Sequence, residues 1–373
     1  MNDVHLLFWL LLCGALAVPL AWRLPPRWQA PAMALCGALF LAVLSPVSLG
    51  LLAIASVATW SLRNQLHRRG VLPAAVAAVV LLYGVHLWQG TSEGDGIAQR
   101  LVLPLGMAFY SLRLVHYLFE AQRQALRAHG LAEYLAYQLL PGPLPLGPIH
   151  RFDEFLRDWR RRRWDSEAFA AGLGRVAWGL AKVVFVAGHL LGYRWPGLAG
   201  PWLAEPGLLN TYTADLGFWL SLYVVFSGYS DMAIGFSALL GLRLRENFDR
   251  PYLAGNITDF WQRWHMSLSG WCRDYVYTPV LALWRWHGLA LVSSMLVLGL
   301  WHALSLHYLL WGFYHGAGLV VHRHFRRLTR DLRQSLAGWR ATAWRLVAVV
   351  LTLHFVVFSF RATQFVEDWI RSL

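Results

Sequence analysis

The sequence predicts an all-α, polytopic membrane protein, with about 10–11 transmembrane helices and further re-entrant or interfacial helices around a central funnel. Three observations predict it. Of 373 residues, 57% are hydrophobic and 14% charged, where soluble domains carry about a quarter charged residues. The apolar residues gather into runs such as Leu6 to Trp22, Ala74 to Trp88 and Leu346 to Phe360, and runs of roughly 17 to 25 residues can cross a bilayer as helices. The basic residues, 33 against 20 acidic, collect between the runs instead of spreading along the chain.

In order, the runs predict helices near 5–22, 31–45, 47–62, 72–89, 99–119, 168–192, 211–240, 287–302, 305–322 and 341–360. The first run lacks a basic segment before it and a small-residue cleavage site, so it reads as a retained helix and not a signal peptide. Arginines cluster at Arg63 to Arg69, Arg123 to Arg127, Arg157 to Arg163, Arg243 to Arg250 and Arg323 to Arg340. Cytoplasmic loops carry such an excess. Crossing at each run puts Arg63 to Arg69, Arg123, Arg157 to Arg163 and Arg323 to Arg340 inside, both termini outside, and the Arg-poor stretches 91–96 and 193–215 outside. The loop from Arg323 to Arg340 is the expected place for local mobility.

Two stretches do not read as simple spans: Leu131 to Ile149, which closes on Pro-Gly-Pro-Leu-Pro-Leu-Gly-Pro-Ile, and Asn256 to Trp286, which mixes Trp with charge. Irregular backbone at membrane depth is tolerated where it is buried in protein or lines a cavity. Both are expected to be re-entrant or interfacial and to shape a funnel open to the cytoplasm. No repeat or low-complexity linker divides the chain, so residues 1–373 read as a single domain.

The basic balance has its explanation in these loops and does not call for nucleic acid. The partner it implies is the lipid bilayer. Cys13, Cys36 and Cys272 suggest neither a disulfide framework nor a metal site.

The segment Asp259-Phe-Trp-Gln-Arg-Trp-His-Met-Ser-Leu-Ser-Gly-Trp-Cys-Arg-Asp274 carries the densest chemistry. Read as one helix, it places Trp261, Trp264, His265, Leu268, Trp271, Cys272 and Tyr275 on one face, with Asp259 and Arg263 paired on the other. Such a helix can serve as an interfacial anchor or carry a catalytic side chain. The second segment, Gly299-Leu-Trp-His-Ala-Leu-Ser-Leu-His-Tyr-Leu-Leu-Trp-Gly-Phe-Tyr-His-Gly316, lies between two apolar runs. An ionisable residue at that depth is costly and is by default a functional candidate, and imidazole exchanges protons near neutral pH. His302 is therefore the strongest single candidate for a general base, against the blander reading of a hydrogen-bonded packing residue. His307, at an outer turn, and His315 are weaker candidates. His322 and His324 read as solvated. No histidine shows a metal spacing with acidic or thiol support.

With Phe226-Ser-Gly-Tyr-Ser-Asp-Met-Ala-Ile-Gly235 and Glu246-Asn-Phe-Asp-Arg-Pro-Tyr252, these two segments resemble the membrane-bound O-acyltransferase family. The likeness is to its bacterial branch, which contains the alginate O-acetylation membrane protein and the teichoic acid D-alanyl transfer protein. Weaker likenesses at Leu103 to Arg123 and Leu139 to Phe155, with its Gly-Pro-Ile-His-Arg core, extend it over residues 100–360. The chain departs from the alginate type after Tyr277, where Thr-Pro-Val-Leu-Ala-Leu-Trp replaces a Gly-Gly-Asn-like turn.

The resemblance implies an O-acyltransferase of the bacterial inner membrane. It would move an acyl group, acetyl foremost, from acetyl-CoA or an acyl carrier protein to a hydroxyl of a cell-envelope or secreted polysaccharide, with a periplasmic partner and no tightly bound cofactor. The family histidine falls on His302 and a second polar position on His265, the implied catalytic pair. Trp261, Arg263, Trp264, Ser267, Arg273, Asp274 and Trp301, near the expected funnel, are the expected substrate contacts, while for most of Asp231, Asp259, Arg263, Arg273 and Asp274 structural ion pairing is the favoured reading, since unpaired charge at that depth is costly. The Arg-rich inner loops would attract the donor's phosphates. A transporter, for which a repeat relating the two halves is missing, and a non-catalytic scaffold are the competing classes.

Overall fold

The computed structural model describes residues 3–91, 106–145, 147–194, 207–335 and 337–372. All the regular structure among them is helical: α1 (Asp3–Arg23), α2 (Pro26–Leu44), α3 (Pro46–Leu62), α4 (Val71–Thr91), α5 (Met107–Gln122), α6 (Leu131–Gln138), α7 (Phe152–Arg161), α8 (Ser166–Leu180) running on as a π-helix (Ala181–Arg194), α9 (Leu208–Leu239), α10 (Ile257–Arg263), α11 (Met266–Cys272), α12 (Thr278–Trp284), α13 (His287–His302), α14 (Leu306–Leu328), α15 (Arg330–Ser335), α16 (Gly338–Val357) and α17 (Ser359–Arg371). The stretches expected outside at 91–96 and 193–215, and the start of the helix expected at 99–119, fall partly outside the described residues.

Five helical stretches are long and apolar enough to cross a membrane, at His5–Arg23, Pro26–Leu44, Ser166–Gly192, Asn210–Leu239 and Gly338–Val357, and shorter apolar helices lie at Pro46–Leu62, Val71–Val85 and His287–His302. Their outward faces carry Phe8, Leu35, Ile54, Leu81, Trp178, Leu346 and Leu351, all more than half exposed. Apolar patches of that extent are unfavourable in water and match hydrocarbon.

The chain forms two compact units. The first, residues 1–185 and 225–245, has its core where α6 and the loop after it meet α5 and α7. Tyr117, Tyr134, Tyr137, Phe152 and Phe155 pack there among Ala17, Ala21 and Met33. Residues 139–145 and 147–152 are buried, so the proline-rich stretch is enclosed in protein, as expected for irregular backbone in an apolar solvent. The cluster at Arg157 to Arg163 is not a plain loop. Phe152, Phe155, Leu156 and Trp159 recur at three- and four-residue spacing on α7 and are buried, while Arg160 reaches Glu133 at 2.7 Å. The arginines are the polar face of an amphipathic helix.

Also in this unit, α8 and the end of α9 cross through glycines. A Cβ on Gly179 would lie 2.5 Å from the Gly228 carbonyl oxygen, and one on Gly172 3.1 Å from that of Gly235. Backbones that close are reached through small residues, the means by which helices associate in lipid, where no hydrophobic gain is available.

The second unit, residues 186–224 and 246–373, is built on the α13–α14 hairpin. Cβ atoms on Gly299 and Gly312 would meet the carbonyl oxygens of Tyr308 at 2.2 Å and Met295 at 2.5 Å, so the two helices touch backbone to backbone. Ser305 caps α14 by accepting from the Tyr308 amide at 3.3 Å. Two expectations are corrected here. The basic stretch from Arg323 is largely helical, in the last turns of α14 and in α15, because the arginines continue the exposed face of a long helix. The last helix read from the sequence ends at Val357, and an amphipathic α17 follows, with Thr363 and Glu367 buried and Phe365 and Trp369 exposed.

Candidate functional site

The segment 259–274 is not one helix. α10 ends at Arg263, and His265 sits at φ 43°, ψ 52° before α11 begins at Met266. A non-glycine residue in the left-handed region is held there against a cost of about 1–3 kcal/mol. The holding is done by residues 247–249. The Asp249 amide donates to the Arg263 carbonyl and the Met266 amide to the Asn247 carbonyl, both at 2.9 Å. The single aromatic face expected from sequence is therefore divided. Trp264 stacks on Phe260 with centroids 5.6 Å apart and packs against Trp219 and Phe248, whereas Trp261 meets Trp311 at 5.9 Å and His315 at 5.3 Å.

The break aims the histidine. His265, 2% exposed, has Nδ1 at 3.1 Å from Asn247 Oδ1. The same oxygen accepts from the Ser267 hydroxyl at 2.8 Å and the Ser267 amide at 3.3 Å. An oxygen that accepts from a backbone N–H fixes the orientation of the amide, so His265 carries its proton on Nδ1 and a lone pair on Nε2.

His302 is the last residue of α13. Its ring lies 4.8 Å from that of Trp301, 5.5 Å from Tyr308 and 5.8 Å from Trp311. Trp301 is also 6.1 Å from the His265 ring, so one indole sits against both imidazoles. His302 is exposed although these rings lie around it.

The remaining residues expected at the site divide. Ser267 belongs to it through Asn247. Arg263 is engaged by Asp259 at 2.7 Å and Asp249 at 3.3 Å and acts as a brace on the 247–249 strip. Arg273 and Asp274 pair with each other at 3.0 Å on the surface. Sequence reasoning passed over Asn247, which lies inside the Glu-Asn-Phe-Asp-Arg-Pro-Tyr block. The signal available was an amide amid that block, but its partner is eighteen residues away. His322, expected in solvent, bonds the Thr258 hydroxyl at 2.8 Å. His307 lies 3.7 Å from the buried Glu367 of α17.

A model of the membrane-bound O-acyltransferase family matches residues 70–365, which include every residue named above at the two histidines. The chain belongs to that family. Among membrane-bound O-acyltransferases it is 33% identical over 281 residues to an Azotobacter vinelandii protein named "Probable alginate O-acetylase", covering 69% of this chain and 55% of that one. It is 28% identical over 305 residues to the teichoic acid D-alanyltransferase of Bacillus subtilis, covering 77% and 75%. To the peptidoglycan O-acetyltransferase of Helicobacter pylori it is 29% identical over 293 residues, covering 69% and 54%. The chain spans about half the length of the alginate-type relatives it matches. Family membership makes it a membrane protein, in keeping with its apolar helices.

Proposed function

We propose that this chain is an O-acyltransferase of the bacterial inner membrane. It takes an acyl group, acetyl foremost, from a thioester donor, acetyl-CoA or an acyl carrier protein, and passes it toward a hydroxyl of a cell-envelope or secreted polysaccharide, with a periplasmic protein as partner. The observation that carries the reading is the pair of imidazoles, His265 and His302, against one indole, the second of them exposed. Residues 1–373 act in it as one domain.

The chemistry assigned to His302 is general-base catalysis. Its neutral imidazole takes the proton of the acceptor hydroxyl as that oxygen attacks the thioester carbonyl. The tetrahedral intermediate collapses with cleavage of the C–S bond, and the proton passes from His302 to the departing thiolate. The step yields an ester and a thiol with no net proton released, and base assistance of this kind is worth about 10² to 10⁴ in rate. His265 has the complementary task. With Nδ1–H given to Asn247, its Nε2 can accept a hydrogen bond but cannot donate one to a carbonyl oxygen. It therefore orients the acceptor hydroxyl and not the thioester. Trp301 forms the wall between them, and Trp261 and Trp264 hold the segment in place.

The experiment is acyl transfer by the purified chain in lipid vesicles, with labelled acetyl-CoA and oligosaccharide acceptors, wild type beside His302→Ala. Transfer that persists at the wild-type rate in the variant refutes the role of His302. A second reading, D-alanyl or other acyl transfer from a carrier protein toward a teichoic-acid-like polymer, is favoured by the match across 75% of the Bacillus subtilis enzyme's length. Supplying an acyl carrier protein in place of CoA separates the two.

A further inference from the structure

The Gly-Pro-Ile-His-Arg stretch and α5 meet in the first unit, apart from any residue given a role above, and they enclose a cation that the described residues leave half satisfied. Arg113 is 1% exposed. Its Nη1 donates to the Tyr137 carbonyl at 3.2 Å, and its guanidinium carbon lies 5.7 Å from the Tyr137 ring. Nε and Nη2 are buried with no hydrogen-bond partner among the described residues, and no acidic side chain among them pairs with it. A guanidinium does not shed its proton as a buried lysine does. An uncompensated charge in such a place is strongly unfavourable, and the described residues do not supply the compensating anion.

Which atoms are left over says what can supply it. Nε and Nη2 form one edge of the guanidinium fork, whose two parallel N–H vectors match two oxygens of a carboxylate or phosphate. Near the guanidinium further neutral polar groups are left over. The His150 ring lies 4.6 Å from that of Tyr137, whose hydroxyl donates to the His150 carbonyl at 2.9 Å, and the ring approaches the Pro148 backbone while neither of its buried nitrogens makes a well-formed hydrogen bond among the described residues. One turn from Arg113 on α5, the Tyr110 hydroxyl is in the same condition, on the same face of the helix. Gly147, at φ 76°, shapes the loop that delivers His150.

We propose that Arg113 is the centre of an oxyanion site within the first unit: its Nε–H and Nη2–H edge binds two oxygens of a phosphate or carboxylate group, and His150 and Tyr110 supply neutral donors around it. Arg113 stands ten residues from Arg123, the residue that closes α5 and pairs with Glu120 at 3.0 Å, about 15 Å along the axis at 1.5 Å per residue; the bound group is an anionic headgroup or a free anion. The site stands without the acyl-transfer reading, and its test does not use activity.

The test uses the full chain purified in detergent. Its melting temperature is followed in chloride while inorganic phosphate or acetate replaces chloride at constant ionic strength, and the phosphorus in an organic extract of the washed protein is measured alongside. The expected result is a saturable rise in melting temperature with phosphate or acetate, the mark of a free anion, or stoichiometric extractable phosphorus, the mark of a phospholipid. Arg113→Gln abolishes whichever is seen, and Arg113→Lys, which keeps the charge and loses the fork, weakens it by roughly tenfold or more. If Arg113→Gln does not fold, the wild-type titration and Arg113→Lys decide alone. Wild-type protein with neither saturable stabilisation nor stoichiometric phosphorus overturns the proposal, and so does an Arg113→Gln protein that retains the full effect.

Discussion

Lys182 Nζ lies 2.6 Å from Asp231 Oδ2, and Arg175 holds the other oxygen of the same carboxylate at 3.0 Å. The contact is interleaved with glycines, Gly172 and Gly179 on one helix and Gly228 and Gly235 on the other. Along each helix the charged residue stands three or four positions from a glycine, so close backbone approach and charge pairing share one stripe. Small residues bring the helices near enough for the ion pairs, and the ion pairs make that nearness tolerable for three charges in apolar surroundings.

Asp231→Asn is therefore expected to leave two cations facing a neutral amide. Breaking a buried pair costs about 3–5 kcal/mol, and the partial exposure of Arg175 and Lys182 puts the expected loss at the lower end. Thermal melting of the purified variant measures it, and a melting temperature equal to wild type contradicts the account.

Gly299→Ala should disturb the hairpin that carries His302. The added methyl would sit 2.2 Å from the Tyr308 carbonyl oxygen, so α13 and α14 have to separate, at the roughly 1–3 kcal/mol typical of overpacking. Because the same separation moves His302, acyl transfer should fall further than stability does. The check is the ratio of turnover to folded fraction, compared with Gly174→Ala, where a Cβ would meet nothing.

Asn247→Ala removes the acceptor shared by His265 and Ser267. Leaving buried donors unpaired costs about 1–3 kcal/mol, and with the imidazole released, turnover should drop by roughly ten- to a hundredfold, each decade being about 1.4 kcal/mol of transition-state stabilisation. Asn247→Asp keeps an acceptor oxygen in the same place and should recover most of the turnover. Equal rates in the two variants would show that the oxygen does not orient His265.

His302→Ala should lower kcat by about 10² to 10⁴ with little change in KM, since the base acts in the transition state. A base must be unprotonated to work, so the wild-type rate should fall on acidification, and the residual rate of the variant should lack that acid limb. A pH profile for both proteins in the same vesicles decides the matter.

Much of this was legible without coordinates, for identifiable reasons. Runs such as Leu6 to Trp22 and Leu346 to Phe360 announce membrane helices because a bilayer filters on length and apolarity alone, properties local to the sequence. His302 stood out by the same logic, a titratable ring closing an apolar run. What could not be read was anything that depends on residues distant in the chain. A stretch that looks like one helix from Asp259 to Asp274 is broken at His265 because Asn247 and Asp249 bond across to it, and no local spacing reports that. Arg113 looks like one basic residue among many until folding encloses it, and Asn247 gains its place only when its amide meets an imidazole. Hydropathy decided which segments leave water. Tertiary contact decided which polar atoms, once out of water, found partners, and that second selection is what makes a site.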